Sequence, residues 1–376
     1  MLYFAQRSRN SLNLLNEKGQ TVMTNRENFL SIARRTGYER MPVSFPMCPS
    51  LSEKYAAYIK EHPIDIPVME EYVGGIGAKC ADSSVFLEKY YKNKTFKPGT
   101  TIDGWGVAHE PGSAAAFHMT YMHNPMTDFD SVEQILEYPF PEFDPSGVEW
   151  MTKQVEEIHA RGHAATGSMQ CTIWETAWYM RGMENLMCDM QADDEMATVL
   201  LDKVTETSIM RAEAYAKAGC DVIFLGDDIG MQHSIMMSIS LYEEWLMPRL
   251  KRVIDAAKAI NPEVIIFYHS CGRVTELIPS LIKAGIDVLD PVQPECMDFG
   301  EIHDKYGDKL SFHGTIGTQT VMPFGTPDEV RKEVFKNLDI AGKKGGLYVC
   351  PTHLLEPEVP VENVIAYINA CADYTK

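Results

Sequence analysis

The sequence has few basic residues relative to acidic ones. It contains 34 Lys and Arg against 53 Asp and Glu, which gives a formal net charge of −19. Because phosphates repel such a chain, this balance argues against non-specific binding to nucleic acid or to an anionic membrane. Hydrophobic residues make up 45% of the 376 residues. The chain can therefore bury a sizeable core, and extensive disorder is not expected.

Membrane and export signals are also missing from the sequence. No apolar run reaches the length of about 18 residues expected of a membrane span. Arg7 and Arg9 interrupt the N-terminal segment early, so we do not expect a secretory signal. Met23 is a plausible second start. We therefore predict a weakly ordered extension over residues 1–22 and one domain over residues 23–376.

A disulfide framework is not expected either. The nine cysteines are odd in number and lie at scattered positions in a long chain. This use of cysteine is typical of the cytoplasm, where thiols stay reduced and available as metal ligands. We therefore expect a cytoplasmic protein.

From residue 160 onward, short apolar runs alternate with longer helical patterns. The predicted strands are 163–169, 221–227, 264–270, 286–290, 310–315 and 346–350. This alternation implies right-handed βαβ units and a parallel sheet. We expect a first strand over residues 40–47 and an eighth between it and residue 160. The fold class predicted is α/β, a (β/α)8 TIM barrel rather than an open dinucleotide-binding sheet.

Two local patterns refine this prediction. β-prone runs flank "EPGS" within residues 100–125, which indicates a β-hairpin inserted into the barrel. Ser240 with Glu243, and Thr326 with Glu329, have the spacing of capping boxes and predict helix starts.

Candidate metal ligands follow two of the predicted strands. In "YHSCGRV", His269 and Cys271 are two positions apart, so they share one face if the strand persists. Cys350 ends the last predicted strand, and the C-terminal strand ends of a barrel gather on one face. One imidazole and two thiolates suit Zn²⁺ and leave a coordination position open. The alternative is a buried histidine with packing cysteines. His313 and Asp290 also follow strands and are interpreted as satisfied strand-end residues.

Three carboxylates are further candidates for the site. Asp227 and Asp228 end "VIFLGDD" and could orient substrate, contact a metal ligand or act as acid and base. Helix capping and loop hydrogen bonds are the alternative for this pair. Glu175 lies between Trp174 and Trp178, which indicates a pocket wall with a carboxylate or ordinary core packing.

Several segments together resemble the uroporphyrinogen decarboxylase superfamily over roughly residues 23–376. They are "GDDIGMQHSIMMSISLYEEWLMPRLKRVI", "YHSCG", "IDVLDPVQPECMDFGEIHDKYGDKLSFHGTIGTQ" and "LYVCPTHLLEPEVPVENVIAYINA". The resemblance implies a (β/α)8 barrel. The H-x-C…C arrangement resembles the cobalamin-dependent methyltransferase branch, which includes methylcobalamin:coenzyme M methyltransferases and corrinoid-linked demethylases. In that branch the matching residues bind zinc, so the resemblance implies zinc at His269, Cys271 and Cys350.

The sequence departs from the true decarboxylases in two places. Their arginine-bearing segment has no counterpart after "RMPVSFPM", where this chain reads "CPSLSEKY". A tetrapyrrole with many carboxylates needs such arginines. Near the C-terminus, "PTHLL" keeps His353 but lacks the glycines on both sides of it. Porphyrinogen decarboxylation is therefore a secondary hypothesis.

The sequence and the resemblance together predict a zinc-dependent methyltransferase. No Asp-x-His-x-x-Gly segment is present, so the corrinoid must come from a partner protein, and we predict no corrinoid-binding residues. Trp105, Trp174 and Trp178, with no evident anchor for an anion, favour a small methoxylated aromatic donor whose methyl group passes to Co(I). The alternatives are transfer from a methylcorrinoid to a thiol such as coenzyme M, and a non-catalytic scaffold stabilised by zinc.

Overall fold

Seven parallel strands form a curled sheet in this computed structural model, which describes residues 22–64, 70–112 and 119–374. In spatial order they are β1 (Glu71–Val73), β7 (Ala165–Gln170), β8 (Val222–Gly226), β9 (Ile265–His269), β10 (Val288–Asp290), β11 (Ser311–His313) and β12 (Leu347–Tyr348). Every neighbouring pair is parallel. The barrel architecture and the six strands predicted after residue 160 are therefore confirmed.

The first strand was predicted at the wrong place. Residues 40–47 contribute only an isolated parallel bridge between Met47 and Leu355. Pro42 and Pro46 lie within this segment, and proline has no N–H to donate to a strand ladder. The sheet instead begins at β1, which lies in the region before residue 160 where the other additional strand was predicted.

Short antiparallel strands form two further small sheets beside the parallel sheet. β2 (Ala78–Lys79) pairs with β6 (Glu142–Phe143), and β3 (Thr101–Ile102), β4 (Ala108–Glu110) and β5 (Tyr121–His123) form a small sheet in that order. β4 and β5 are the predicted inserted hairpin, to which the structure adds β3. Residues 113–118, between β4 and β5, lie outside the described residues, as does nearly all of the predicted extension over residues 1–22.

Helices pack around the sheet and connect its strands. They are α1 (Asn25–Ala33), α2 (Pro49–Glu61), α3 (Ser83–Lys89), α4 (Val132–Leu136), α5 (Val148–Ala160), α6 (Trp174–Arg181), α7 (Met183–Gln191), α8 (Glu195–Ala218), α9 (Ile239–Trp245), α10 (Met247–Ile260), α11 (Ile278–Ala284), α12 (Phe299–Tyr306), α13 (Val321–Phe324), α14 (Pro327–Ala341) and α15 (Val361–Tyr374). Among the described residues, none of these helices combines the length and apolar character that crossing a membrane requires.

The two predicted capping boxes have different outcomes. Thr326 caps α14, with Glu329 returning the reciprocal hydrogen bond, as predicted. At α9 the N-cap is Ser238, whose hydroxyl accepts from the Leu241 N–H, so the prediction for Ser240 was wrong. Glu243 instead accepts a hydrogen bond from the Ser280 hydroxyl at 2.7 Å. A tertiary contact therefore competes with the local cap for this carboxylate.

Apolar side chains fill part of the barrel interior. Phe29 of α1 packs against Phe267 of β9 and Tyr348 of β12 in a small inner core. Alternate residues of a strand share one face, so Phe267 and His269 both point inward. On β10, Val288 of the inner core and Asp290 share a face in the same way. The apolar interior thus gives way to polar side chains at the C-terminal strand ends.

Candidate metal centre

Three ligand-type side chains converge where β8 and β9 end. A carboxylate oxygen of Asp228, a ring nitrogen of His269 and the Sγ of Cys271 all lie within 4.8 Å of one another. His269 Nε2 is 3.5 Å from the sulfur of Cys271 and 3.8 Å from Oδ1 of Asp228. Two predicted ligands are therefore brought together, and Asp228 joins them.

The backbone holds this group in place through close strand packing. Gly226 is the register partner of His269, and a Cβ on Gly226 would lie 2.7 Å from the Cβ of His269. Only glycine allows the two strands to approach in this way. The N–H of Cys271 donates to Oδ1 of Asp228 at 2.7 Å. The loops after β8 and β9 are thus tied together beside the candidate ligands.

Asp290 orients two histidines at the same strand ends. Nδ1 of His269 donates to Oδ2 of Asp290 at 2.6 Å, and Nδ1 of His313 donates to Oδ1 at 2.5 Å. Burial lowers the pKa of His269, but Asp290 and Cys271 together raise it more, and the net shift is upward. Because Asp290 holds Nδ1, Nε2 of His269 faces Cys271, as a metal-binding histidine requires. From sequence, Asp290 was interpreted only as a satisfied strand-end residue, and no local pattern indicated this role.

Cys350 lies apart from the group of three. It follows β12, and its Sγ is 3.3 Å from Nε2 of His313. It does, however, line the same cavity as His269. The role of Cys350 as a third ligand stays a prediction.

Asp227 serves as a helix cap in the structure. It is 4% exposed, and its carboxylate accepts from the N–H groups of Ile173 (3.0 Å) and Glu175 (2.9 Å) at the start of α6. Burial, reinforced by the nearby Glu175 carboxylate, raises the pKa of Asp227 well above its usual value. Of the adjacent pair, it is Asp228 that faces the candidate ligands.

The Glu175 side chain contacts the backbone of Asp228. Its Oε2 accepts from the N–H of Asp228 at 3.1 Å, and its Oε1 accepts from the Tyr179 hydroxyl at 2.8 Å. Burial raises the pKa of Glu175, and the charge of Asp228 raises it further. Glu175 therefore touches the loop that carries Asp228 rather than the candidate ligands themselves.

The three tryptophans of the predicted aromatic wall pack into or against the hydrophobic core. Trp174 is fully buried, while Trp178 and Trp105 pack against the hydrophobic core. Among the described residues that line the two cavities beside the candidate ligands, none is a tryptophan.

Two cavities meet at the candidate ligands. The inner cavity, of about 460 Å³, is lined by His269, Asp290, His313 and Cys350 among others. The outer cavity, of about 540 Å³, is lined by Cys271 and by residues of the loops around it. Thr352, His353 and Leu354 line both. Molecules bound in the two cavities would therefore approach the candidate ligands from different sides.

The donor atoms present fit a zinc ion. Zinc bonds of about 2.3 Å to sulfur and about 2.0 Å to nitrogen, at a tetrahedral angle, place the two donors about 3.5 Å apart. The distance between Cys271 Sγ and His269 Nε2 is 3.5 Å. Sulfur and imidazole nitrogen are also the donors that zinc prefers in proteins.

Comparison with known proteins gives a family model and several curated relatives. The model for "Uroporphyrinogen decarboxylase (URO-D)" matches residues 114–374. "Methylated-thiol--coenzyme M methyltransferase" of Methanosarcina mazei is 27% identical over 207 residues, covering 52% of this chain and 50% of that protein. "Uroporphyrinogen decarboxylase" of Citrifermentans bemidjiense is 29% identical over 180 residues (48% and 50%). "Methylcobamide:CoM methyltransferase MtaA" of Methanosarcina barkeri is 27% identical over 175 residues (46% and 48%). The chain spans about half the length of these relatives.

A solved structure shares the fold. The "methyltransferase from Methanosarcina mazei" superposes with a TM-score of 0.62 at 16% sequence identity, covering 94% of this chain and 100% of that one. At this identity the likeness supports the architecture alone.

Proposed function

The chain belongs to the uroporphyrinogen decarboxylase family, and we propose that it is a zinc-dependent methyltransferase. It would move a methyl group between a small molecule and a corrinoid carried by a separate partner protein. The group formed by Asp228, His269 and Cys271 between two cavities is the observation that carries this proposal. Two of the relatives are named as methyltransferases, which also supports it.

We propose His269, Cys271 and Cys350 as the zinc ligands, with Asp228 beside them. Bound there, zinc would supply Lewis acidity, which lowers the pKa of a thiol or polarises a methoxy oxygen. Asp290 keeps Nε2 of His269 directed at the site, and Glu175 holds the loop that carries Asp228. Two thiolates and a neutral imidazole would cancel the charge of Zn²⁺.

The two cavities suggest a division of roles. The inner cavity lies within the barrel and suits a small molecule. The outer cavity is lined by Met231 and Phe324, which are 52% and 79% exposed. Exposed apolar side chains beside a site are typical of surfaces that meet a partner. We therefore place the corrinoid partner on the outer side.

We propose the acceptor direction, from a methylcorrinoid to a thiol, because the names of two relatives specify coenzyme M or a methylated thiol. The thiolate lone pair forms the new S–C bond while the Co–C bond breaks. Both electrons of that bond stay on cobalt, which is reduced from Co(III) to Co(I). No external oxidant or reductant is needed.

O-demethylation of a methoxylated aromatic donor is the second candidate. Breaking a C–O bond leaves an oxygen that takes up a proton. Glu175, a predicted site residue, lines neither of the two cavities described and contacts the backbone of Asp228 instead, so it does not supply that proton from its position here. The predicted aromatic wall gains no support, because Trp105, Trp174 and Trp178 lie away from the cavity linings described. The decarboxylase alternative needs cationic side chains for a polycarboxylate.

Two measurements test the proposal. Zinc content should be about one ion per chain in the native protein and far lower in Cys350→Ala, with the exposed Cys80→Ala as a matched control. Demethylation of methylcobalamin by thiols should exceed methylation of cob(I)alamin by methoxyarenes. Activity only with methoxyarenes would reverse the direction. Full zinc content in Cys350→Ala would show that Cys350 is not a zinc ligand. Bound zinc without methyl transfer in either direction would favour the non-catalytic scaffold stabilised by zinc.

A further inference from the structure

The wall of the inner cavity contains a polar side chain without a partner. Thr166, Ser168 and Gln170 alternate along β7 and all line this cavity. Thr166 is only 6% exposed, and its hydroxyl has no hydrogen-bond partner among the described residues. A buried hydroxyl left unsatisfied is costly, so this atom points to a ligand that completes it.

A carboxylate without a direct ion-pair partner among the described residues lies in the same cavity. Glu70 lines the cavity immediately before β1, and within the described residues no hydrogen bond or ion pair is made by its side chain. The neighbouring acid, Glu71, is instead 3.3 Å from the Arg161 guanidinium. Burial raises the pKa of Glu70, and the nearby His313 opposes this shift only in part. Glu70 is therefore available to a positively charged ligand.

The remaining charges of the inner cavity do not favour an anion. Among the described lining residues there is no lysine or arginine. His269 and His313 both donate to Asp290 through Nδ1. Their Nε2 atoms face the sulfurs of Cys271 and Cys350, so both rings already have protein partners. Recognition of a sulfonate or carboxylate normally uses arginine or lysine. Phe224 also lines the cavity, and an aromatic face attracts cations.

We infer that the inner cavity selects a substrate whose end remote from the reacting atom is a primary ammonium, paired with Glu70 and hydrogen-bonded to Thr166. The inference rests on the proposed function, which places the reacting atom beside His269. In the acceptor direction the substrate is then a small aminothiol. Such a substrate differs in charge from coenzyme M, which carries a sulfonate at the corresponding position.

Three thiols of matched length test the inference by calorimetry on the zinc-loaded protein. They are 2-aminoethanethiol, 2-mercaptoethanol and 2-mercaptoethanesulfonate, which place a cation, a neutral hydroxyl and an anion at the remote end. We expect 2-aminoethanethiol to bind about tenfold more tightly than 2-mercaptoethanol, and the sulfonate to bind most weakly. Glu70→Gln should remove the preference for the cation, and Thr166→Val should reduce it. The exposed Glu53→Gln, on α2, should leave it unchanged.

A variant that reverses the charge at Glu70 keeps the test valid even if another variant loses stability. Glu70→Lys should bind the sulfonate more tightly than 2-aminoethanethiol. If the native protein prefers the sulfonate, or if Glu70→Gln and Glu70→Lys keep the native order, the inference is overturned while the proposed function stands. If none of the three thiols binds in a zinc-dependent way, the thiol-accepting function fails, and the inference fails with it.

Discussion

The carboxylate of Asp290 lies 2.6 Å from Nδ1 of His269, its register partner on the adjacent strand. The other oxygen of the same carboxylate contacts His313. One buried acid thus sets the orientation of both imidazoles at the C-terminal end of the barrel. A carboxylate behind a metal-binding histidine fixes its tautomer and raises its basicity.

Replacing Asp290 by Asn should therefore weaken zinc binding. An amide cannot accept from both histidines through two equivalent oxygens, so the orientation of at least one ring is lost. We expect a decrease in zinc affinity of about 10- to 100-fold, measured by competition with a chromophoric chelator. The exposed Asp304→Asn, on α12, is the control. An affinity in Asp290→Asn equal to that of the control would refute the orienting role.

Substitutions of the adjacent residues Asp227 and Asp228 should have different effects, the first on stability and the second on zinc binding or methyl transfer. Asp227 caps α6 from a buried position, so Asp227→Asn should lower the free energy of unfolding by about 1–3 kcal/mol. Asp228 faces the candidate ligands, so Asp228→Asn should mainly change zinc affinity or methyl transfer. Urea denaturation and zinc titration of both variants distinguish the two effects. The assignment is wrong if Asp227→Asn loses zinc affinity at unchanged stability.

Gly167 on β7 should not tolerate a side chain. A Cβ at this position would lie 2.4 Å from the ring of Tyr215, which packs across the strand from α8. Gly167→Ala should therefore destabilise the protein by about 1–3 kcal/mol, since overpacking forces neighbouring atoms to shift. Gly77→Ala is the matched control, because nothing lies within 4 Å of its Cβ position. Equal melting temperatures for the two variants would contradict this packing.

The preference for a cationic thiol should depend on pH through Glu70. Burial raises the pKa of this carboxyl, so it is more protonated at mildly acidic pH than an exposed glutamate. The ratio of the affinities for 2-aminoethanethiol and 2-mercaptoethanol should therefore rise between about pH 5 and about pH 8, as Glu70 ionises. Calorimetry at several pH values measures this ratio. Glu70→Gln supplies the control and should show no such rise; an identical rise in that variant would assign the effect elsewhere.

Local pattern was enough to predict most of the barrel. Short apolar runs between helical segments located the strands after residue 160, and the runs around "EPGS" located β4 and β5. The same reasoning failed at residues 40–47, where prolines interrupt an apolar run that would otherwise pair as a strand. It failed at Ser240 because Glu243 contacts α11 instead of closing a capping box. At residues 40–47 the cause is local, whereas at Ser240 a contact distant in sequence decided the local structure.

Sequence alone determined that His269 and Cys271 lie at the end of one strand. It also determined that Asp227, Asp228 and Cys350 lie at the ends of others, because the short apolar run that marks each strand is a local pattern. Only the tertiary structure decided which of these side chains meet. Strand register aligned Asp290 with His269, turned Asp227 toward α6 and left Asp228 facing Cys271. It also placed Glu70 in the inner cavity, although β1, the strand that follows this residue, is only three residues long. The reason is that neighbours across a parallel sheet depend on how the strands shift and curl against each other, which no single strand encodes.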